Sequence, residues 1–346
     1  MIYVAGYVGM MLLRLARLRP GYGLLLWGLF LFSAFRFAVG CDWFGYLNQF
    51  ELYGTVPLSE VMATREPVWT AIIAIQTGLG LPYPWLNVIT SALFFYGVHR
   101  IAQRQPDRLG FLVLLFPVLI INMPMSGIRQ GAAIGLMCLA FLAFVDRRLI
   151  RFVVLVVLAA GIHSSAAAFL LLAPMVSGGL TRGRMALSAL LAIPGGLALL
   201  SSDAGVMATT RYVDTGIDAA GAAYRVALLV LTALWFLLFL RRGWAATYPG
   251  EYKLVTIGAL MMLFLALLLP VSSVIADRLG YYLIPIQAVI LARLPFLPLR
   301  SGRALAVAAP YLGLLLVLAT WALLSSHFQQ CYLPYRSWIF GMPEVY

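Results

Sequence analysis

Charge is scarce in this chain, and lysine is nearly missing from it. Only 10% of the 346 residues are Asp, Glu, Lys or Arg, against about 25% in soluble domains. Hydrophobic residues make up 63%, and the mean hydropathy is +0.96. Such a balance excludes a water-soluble globular fold. Lys253 is the only lysine, so arginine carries the net charge of +12. Membrane topology accounts for those arginines better than nucleic acid does, and no nucleic-acid partner is expected. Three cysteines, Cys41, Cys138 and Cys331, are too few and too dispersed to suggest a metal cage. Internal repeats and low-complexity linkers are missing too, so the expectation is one integral membrane domain over residues 1–346, in contact with the lipid bilayer throughout.

What is present is a series of apolar runs separated by arginines. Spans are predicted at 2–18, 22–39, 82–99, 109–124, 128–145, 151–162, 164–177, 185–201, 222–240, 254–272, 279–293 and 304–325. The fold class is therefore an all-α, polytopic transmembrane bundle of about twelve spans. Met1 to Leu13 lack a basic start and a small-residue cleavage site, so they read as an uncleaved helix. Six inter-span clusters, from Arg14/Arg17/Arg19 to Arg293/Arg300/Arg303, hold 17 of the 24 basic residues but only Asp107, Asp146 and Glu251 among the 12 acids. The positive-inside rule makes these loops cytoplasmic and turns both termini outward.

Two segments break the pattern. Residues 66–80 are apolar, yet counting them as a crossing would move the Arg100/Arg104/Arg108 loop outside. A re-entrant or interfacial helix is predicted instead, started by Glu66-Pro67. Arg151 and Arg182 share the inner side, but each intervening limb has about a dozen residues where a crossing needs about 20. The turn around Gly161, His163, Ser164 and Ser165 is therefore expected at membrane depth, as a broken-helix tip facing a pocket (near 161–165).

Ionisable groups at the edge of hydrocarbon cost several kcal/mol unless paired or wetted, so several in one chain point to a shared polar cavity. Arg65, Arg129 and Arg278 are the pyrophosphate candidates, because guanidinium binds phosphate oxygens bidentately and keeps its charge. For the base that deprotonates a sugar hydroxyl, Asp42, His163 and Glu66 are the candidates. Tyr46, which would share a helical face with Asp42, is a sugar-binding candidate, with Gln130 and Tyr282. Each has a plainer reading: an Arg65–Glu66 helix-start ion pair, Asp42 as a helix cap, His163 as a core histidine bonded to a carbonyl, and a local Asp277–Arg278 pair. Cys41 and Cys331 both fall on the outward side, where an oxidising periplasm permits a disulfide. With no metal-ligand spacing in view, neither metal nor cofactor is expected.

Arg36…Gly40-Cys41-Asp42…Tyr46, Arg65-Glu66-Pro67, Ile128-Arg129-Gln130, Ile162-His163-Ser164-Ser165, Asp277-Arg278…Tyr282 and Leu333-Pro334-Tyr335-Arg336-Ser337 follow one another along nearly the whole chain. In this ordered series the sequence resembles the EpsG family of bacterial exopolysaccharide and O-antigen polymerases, the Wzy-type enzymes. The resemblance implies a multi-pass inner-membrane glycosyltransferase with a GT-C-like fold. It would join oligosaccharide repeat units carried on undecaprenyl pyrophosphate at the periplasmic face, with a chain-length regulator as a further partner. It also raises Asp42, an acidic residue in the first outward loop, as a catalytic residue, while leaving Asp42, Glu66 and His163 all open as the base. A ligase, a flippase for the lipid-linked oligosaccharide, and a membrane acyltransferase are the alternatives to be separated from it.

Overall fold

The computed structural model describes residues 2–16, 21–57, 59–64, 66–179, 181–184, 186–187, 190, 219, 221–299 and 302–341. Among them the chain is helical without strands, apart from one isolated antiparallel bridge between Arg36 and Ser337. The helices are α1 Ile2–Leu15, α2 Gly21–Ala34, α3 Trp43–Tyr53, α4 Pro67–Gly78, α5 Pro84–Ala102, α6 Arg108–Ile120, α7 Ile128–Val145, α8 Leu149–Ile162 and α9 Ala173–Val176. A 3₁₀ helix, Ser164–Leu172, links α8 to α9. Then come α10 Ala222–Thr247, α11 Tyr252–Leu268, α12 Ser273–Ala292, α13 Arg303–Leu324 and α14 Ser326–Tyr332.

Among the described residues, four helical segments are long and apolar enough to cross a membrane: Ile128–Val145, Ala222–Thr247, Ser273–Phe296 and Arg303–Leu324. Several others, including α1, α2, α6 and α11, are apolar but shorter than the expected spans they overlap, and α8 is a further short apolar helix. Of the expected crossings, 185–201 lies largely outside the described residues. Within the spanning set, 78% of the α7 and α12 windows is buried, against 33% for Ala222–Thr247 and 17% for α13. The first two thus form the centre of the bundle, and the latter two turn apolar faces such as Leu231, Leu238, Leu312 and Leu316 outward, as lipid-facing helices do.

Small residues set the tightest contact. A Cβ on Gly97 of α5 would lie 1.9 Å from the Gly135 carbonyl oxygen, and one on Gly135 of α7 would lie 2.3 Å from the Leu93 oxygen. Without side chains at this crossing the two backbones touch, which supplies dispersion contact where lipid offers no hydrophobic drive between helices. In α6, Pro117 takes away an amide donor, and the helix widens into a π turn over Phe116–Ile120.

The inner-loop charges gather at one pole. Asp107 accepts from Arg14 Nε at 2.7 Å and caps α6 through the Gly110 N–H. Arg104 forks onto both Asp146 oxygens at 2.8 Å, and that partner holds the carboxyl below its usual range. Arg293 donates to Gln105 and Glu251 at 2.9 and 3.1 Å. Lys253 donates to the carbonyls of Met175, Val176 and Gly178, closing the end of α9. All three acids that accompany the basic clusters are therefore ion-paired there. The opposite ends of α7 and α12 carry Arg129 and Arg278, roughly 20–30 Å away at 1.5 Å per residue.

α4 is short, its 12 residues spanning only about 18 Å. It lies on α8, where a Cβ on Gly161 would come within 2.6 Å of Val68 Cγ2. The α8 break is also present. Ile162 ends the helix, His163 is extended (φ −145°, ψ 110°), and the chain restarts as the 3₁₀ helix at Ser164.

Candidate active site

Gly40 is where the site begins. Its φ of +102° suits glycine, and a Cβ there would sit 1.9 Å from the Met125 carbonyl oxygen. The loop that follows can therefore press against the 122–127 turn, and Asp42 Oδ2 accepts from Ser126 Oγ at 3.2 Å. Asp42 occupies the cap position of α3, but its side chain makes no cap bond. The capping reading fails, and the carboxylate points to the turn instead.

Arg36 fixes this loop from beneath. It is fully buried, donating from Nε to Val39 O (2.9 Å), from one terminal nitrogen to Ser33 O (2.8 Å) and from the other to Asn87 Oδ1 (2.7 Å), with Trp43 under the guanidinium. The C-terminal tail closes over the same stretch: Phe37 N–H donates to Arg336 O, Gly40 N–H to Cys331 O and Trp338 N–H to Phe35 O. Cys41 and Cys331 are disulfide-bonded, with Cα atoms 4.7 Å apart.

A cavity of about 360 Å³ opens between this loop, the start of α7, the α8 break, the start of α12 and α14. Asp42, Tyr46, Arg129, Gln130, His163 and Arg278, read from the sequence as site candidates, all line it. Glu66 stands directly behind, its two oxygens accepting from an Arg129 terminal nitrogen (2.7 Å) and from the Ser164 N–H (2.8 Å). Glu66 thus pairs with Arg129 across 63 positions; Arg65, and with it the expected helix-start pair, lies outside the described residues. Arg129 keeps Nε buried with no hydrogen-bond partner among the described residues.

His163 has side-chain partners on Nδ1. Its Nδ1 lies 2.7 Å from Ser165 Oγ and 3.4 Å from the Tyr282 hydroxyl, and Ser165 Oγ lies 3.3 Å from the same hydroxyl. Tyr282 thus backs the imidazole and does not line the cavity. Gln130 donates to the Arg278 carbonyl at 2.6 Å, tying α7 to α12.

Asp277 does not pair with its neighbour Arg278. Arg225 of α10 grips both Asp277 oxygens at 2.6 and 2.8 Å, so Asp277 faces the cavity with its charge balanced from behind. Arg278 also lines the cavity. Tyr46 packs edge-on to Trp69, and burial pushes its phenol up to about 12, against the pull of the Arg129 guanidinium. It remains a neutral O–H donor at physiological pH. Burial raises Tyr332 in the same direction.

Residues with no forecast role complete the wall: Gln49, Asn122, Ser126, Tyr281, Tyr332 and His327. His327 had a signal, being one of only three histidines and lying four positions before Cys331. The two carboxylates, two guanidiniums and two imidazoles make a wet, charge-balanced hollow. It can bind a polyanion through arginine while a base faces a hydroxyl. The family model of the EpsG family matches residues 22–337, which include every residue lining the cavity. No curated protein and no solved structure matches the chain.

Proposed function

The chain belongs to the EpsG family, and from that premise and the cavity together we propose that it is a polysaccharide polymerase. In this reading it joins oligosaccharide repeat units carried on undecaprenyl pyrophosphate, at the periplasmic face of the bacterial inner membrane. The observation that carries the proposal is the meeting of Asp42, Arg129, His163 and Arg278 in one polar hollow. Ile134 and Met137 are fully buried farther along α7, toward the basic pole. That favours chemistry at one face over passage of a lipid-linked sugar through the bundle.

An acceptor hydroxyl of the incoming unit attacks the anomeric carbon of the growing chain. Its proton passes to His163 or Asp42, the new glycosidic bond forms, and the carbon–oxygen bond to the lipid pyrophosphate breaks with its electron pair leaving on the pyrophosphate. Arg129, with Arg278 and Arg65, meets the charge developing on the leaving group, where fixed cations contribute most. Glu66, with both oxygens occupied by donors, suits anchoring Arg129 and the α8 break better than taking a proton. Tyr46, Gln130 and Tyr282 supply sugar contacts or back the groups that do. A membrane-embedded chain-length regulator acts on the same product.

Purified protein incubated with lipid-linked repeat units tests this. A ladder of repeat lengths, lost in Arg129→Ala and His163→Ala at normal protein abundance, is the expected result. Transfer of one glycan to a foreign acceptor without a ladder points to a ligase. Unimpaired ladders from both variants refute the proposal.

A further inference from the structure

Cys41, Cys331 and His327 meet at the rim of the cavity, and we propose that in their reduced form they bind a thiophilic divalent cation, for which zinc is the test ion. Their sulfur and ring-nitrogen atoms all lie within 4.8 Å of one another, and His327 Nε2 is 3.3 Å from Cys41 Sγ. Tetrahedral zinc takes sulfur at about 2.3 Å and nitrogen at about 2.0–2.1 Å, which places its ligands some 3.3–3.8 Å apart. The set meets that spacing with small side-chain rotations once the sulfurs are released from each other.

Backbone geometry supports the convergence independently of the sulfur–sulfur bond. His327 and Cys331 are four residues apart on α14 and so share a face. The Gly40 N–H donates to Cys331 O at 2.7 Å, holding Cys41 beside that face. His327 is exposed and lines the open cavity, so an ion has a route in. Two thiolates and an imidazole select zinc over magnesium or calcium, and three protein ligands leave a fourth position for water or a carboxylate.

In the disulfide form neither sulfur is a thiolate ligand. A dithiol reductant supplies two electrons and two protons to Cys41 and Cys331 and itself becomes a disulfide. Zinc then displaces both thiol protons. Cys41 precedes Asp42, and Cys331 precedes Tyr332, both cavity residues. The bound ion therefore stands at the entrance to the site. This inference rests on the cluster alone and stands whatever reaction the cavity performs.

The test uses the full-length protein in detergent, reduced with a phosphine that is then removed, and titrated with zinc against a chromophoric chelator. One equivalent is expected for the reduced protein and none for the oxidised protein. Cys331→Ser abolishes uptake, and His327→Ala weakens it at least about tenfold while leaving the disulfide able to form. Cobalt in place of zinc should give a sulfur-to-metal charge-transfer band, a signature that nonspecific binding lacks. Absence of uptake by the reduced protein, or unchanged affinity in Cys331→Ser, overturns the proposal. If the serine variant fails to fold, an unchanged affinity in His327→Ala or a missing cobalt band does so.

Discussion

Glu66→Gln isolates the link between the buried carboxylate and Arg129. The amide keeps an oxygen for the Ser164 N–H and a near-identical shape, but it removes the charge that an Arg129 terminal nitrogen contacts at 2.7 Å. A hydrogen bond between charged groups contributes about 1.5–3 kcal/mol, so the released guanidinium should lose its fixed position and activity should drop roughly 10- to 100-fold. Arg129→Ala, which removes the cation itself, should cost about 100- to 1000-fold in turnover, the range seen when one fixed donor to a developing anion is deleted. If Glu66 acts through Arg129, the double variant is no slower than Arg129→Ala alone. Independent effects would multiply instead to about 1000-fold or more. Initial rates of ladder formation from lipid-linked repeat units, at matched abundance and melting temperature, supply the four corners of the cycle. Multiplicative losses refute the claim that Glu66 serves the site by placing Arg129.

Gly40→Ala puts a methyl group against the Met125 carbonyl at a positive φ, so activity should fall tenfold or more as the Asp42 loop lifts; unchanged turnover would show that this close approach does not place the carboxylate. Gly135→Ala overpacks the α5–α7 crossing and should cost about 1–3 kcal/mol, read as a lower melting temperature in detergent. Asp146 is held below its ordinary range by the hydrogen bonds from Arg104, so its contribution is full above about pH 4 and is lost as pH falls through the lower folded value. Because the pair is partly exposed, that contribution is under about 1 kcal/mol, and Asp146→Asn should flatten this part of the acid stability profile.

Several parts of the fold were legible because they follow from local chemistry. Pro67 after Glu66 starts a helix, two limbs of a dozen residues place a break at His163, and arginines between apolar runs mark one pole. Asp42, Arg129 and His163 stood out because charge is costly beside hydrocarbon, wherever the rest of the chain goes. Pairings were less legible. Adjacent letters suggested Asp277 with Arg278, whereas Arg225, 52 positions away, grips Asp277, and no local pattern pointed to Arg129, 63 positions away, as a partner of Glu66. Helix packing chooses such partners, and no spacing rule carries that information. The tail was legible beside the first loop through Cys41 and Cys331, and residues 331–338 do close over 35–40, whereas His327 went unassigned because its place at the rim depends on how α14 packs against that loop. Span bounds moved in both directions, because hydropathy marks apolar stretches but not where turns cut them: α2 ends at Ala34, short of 39, whereas α12 starts at Ser273, ahead of 279.

An experimental structure of the protein with an undecaprenyl pyrophosphate-linked sugar bound tests the central claim most directly. The account predicts pyrophosphate density within hydrogen-bonding distance of Arg129 and Arg278, with the sugar beside Asp42 and His163 in the same hollow. Pyrophosphate bound elsewhere, or Arg129 and His163 opening toward different membrane faces, would contradict it.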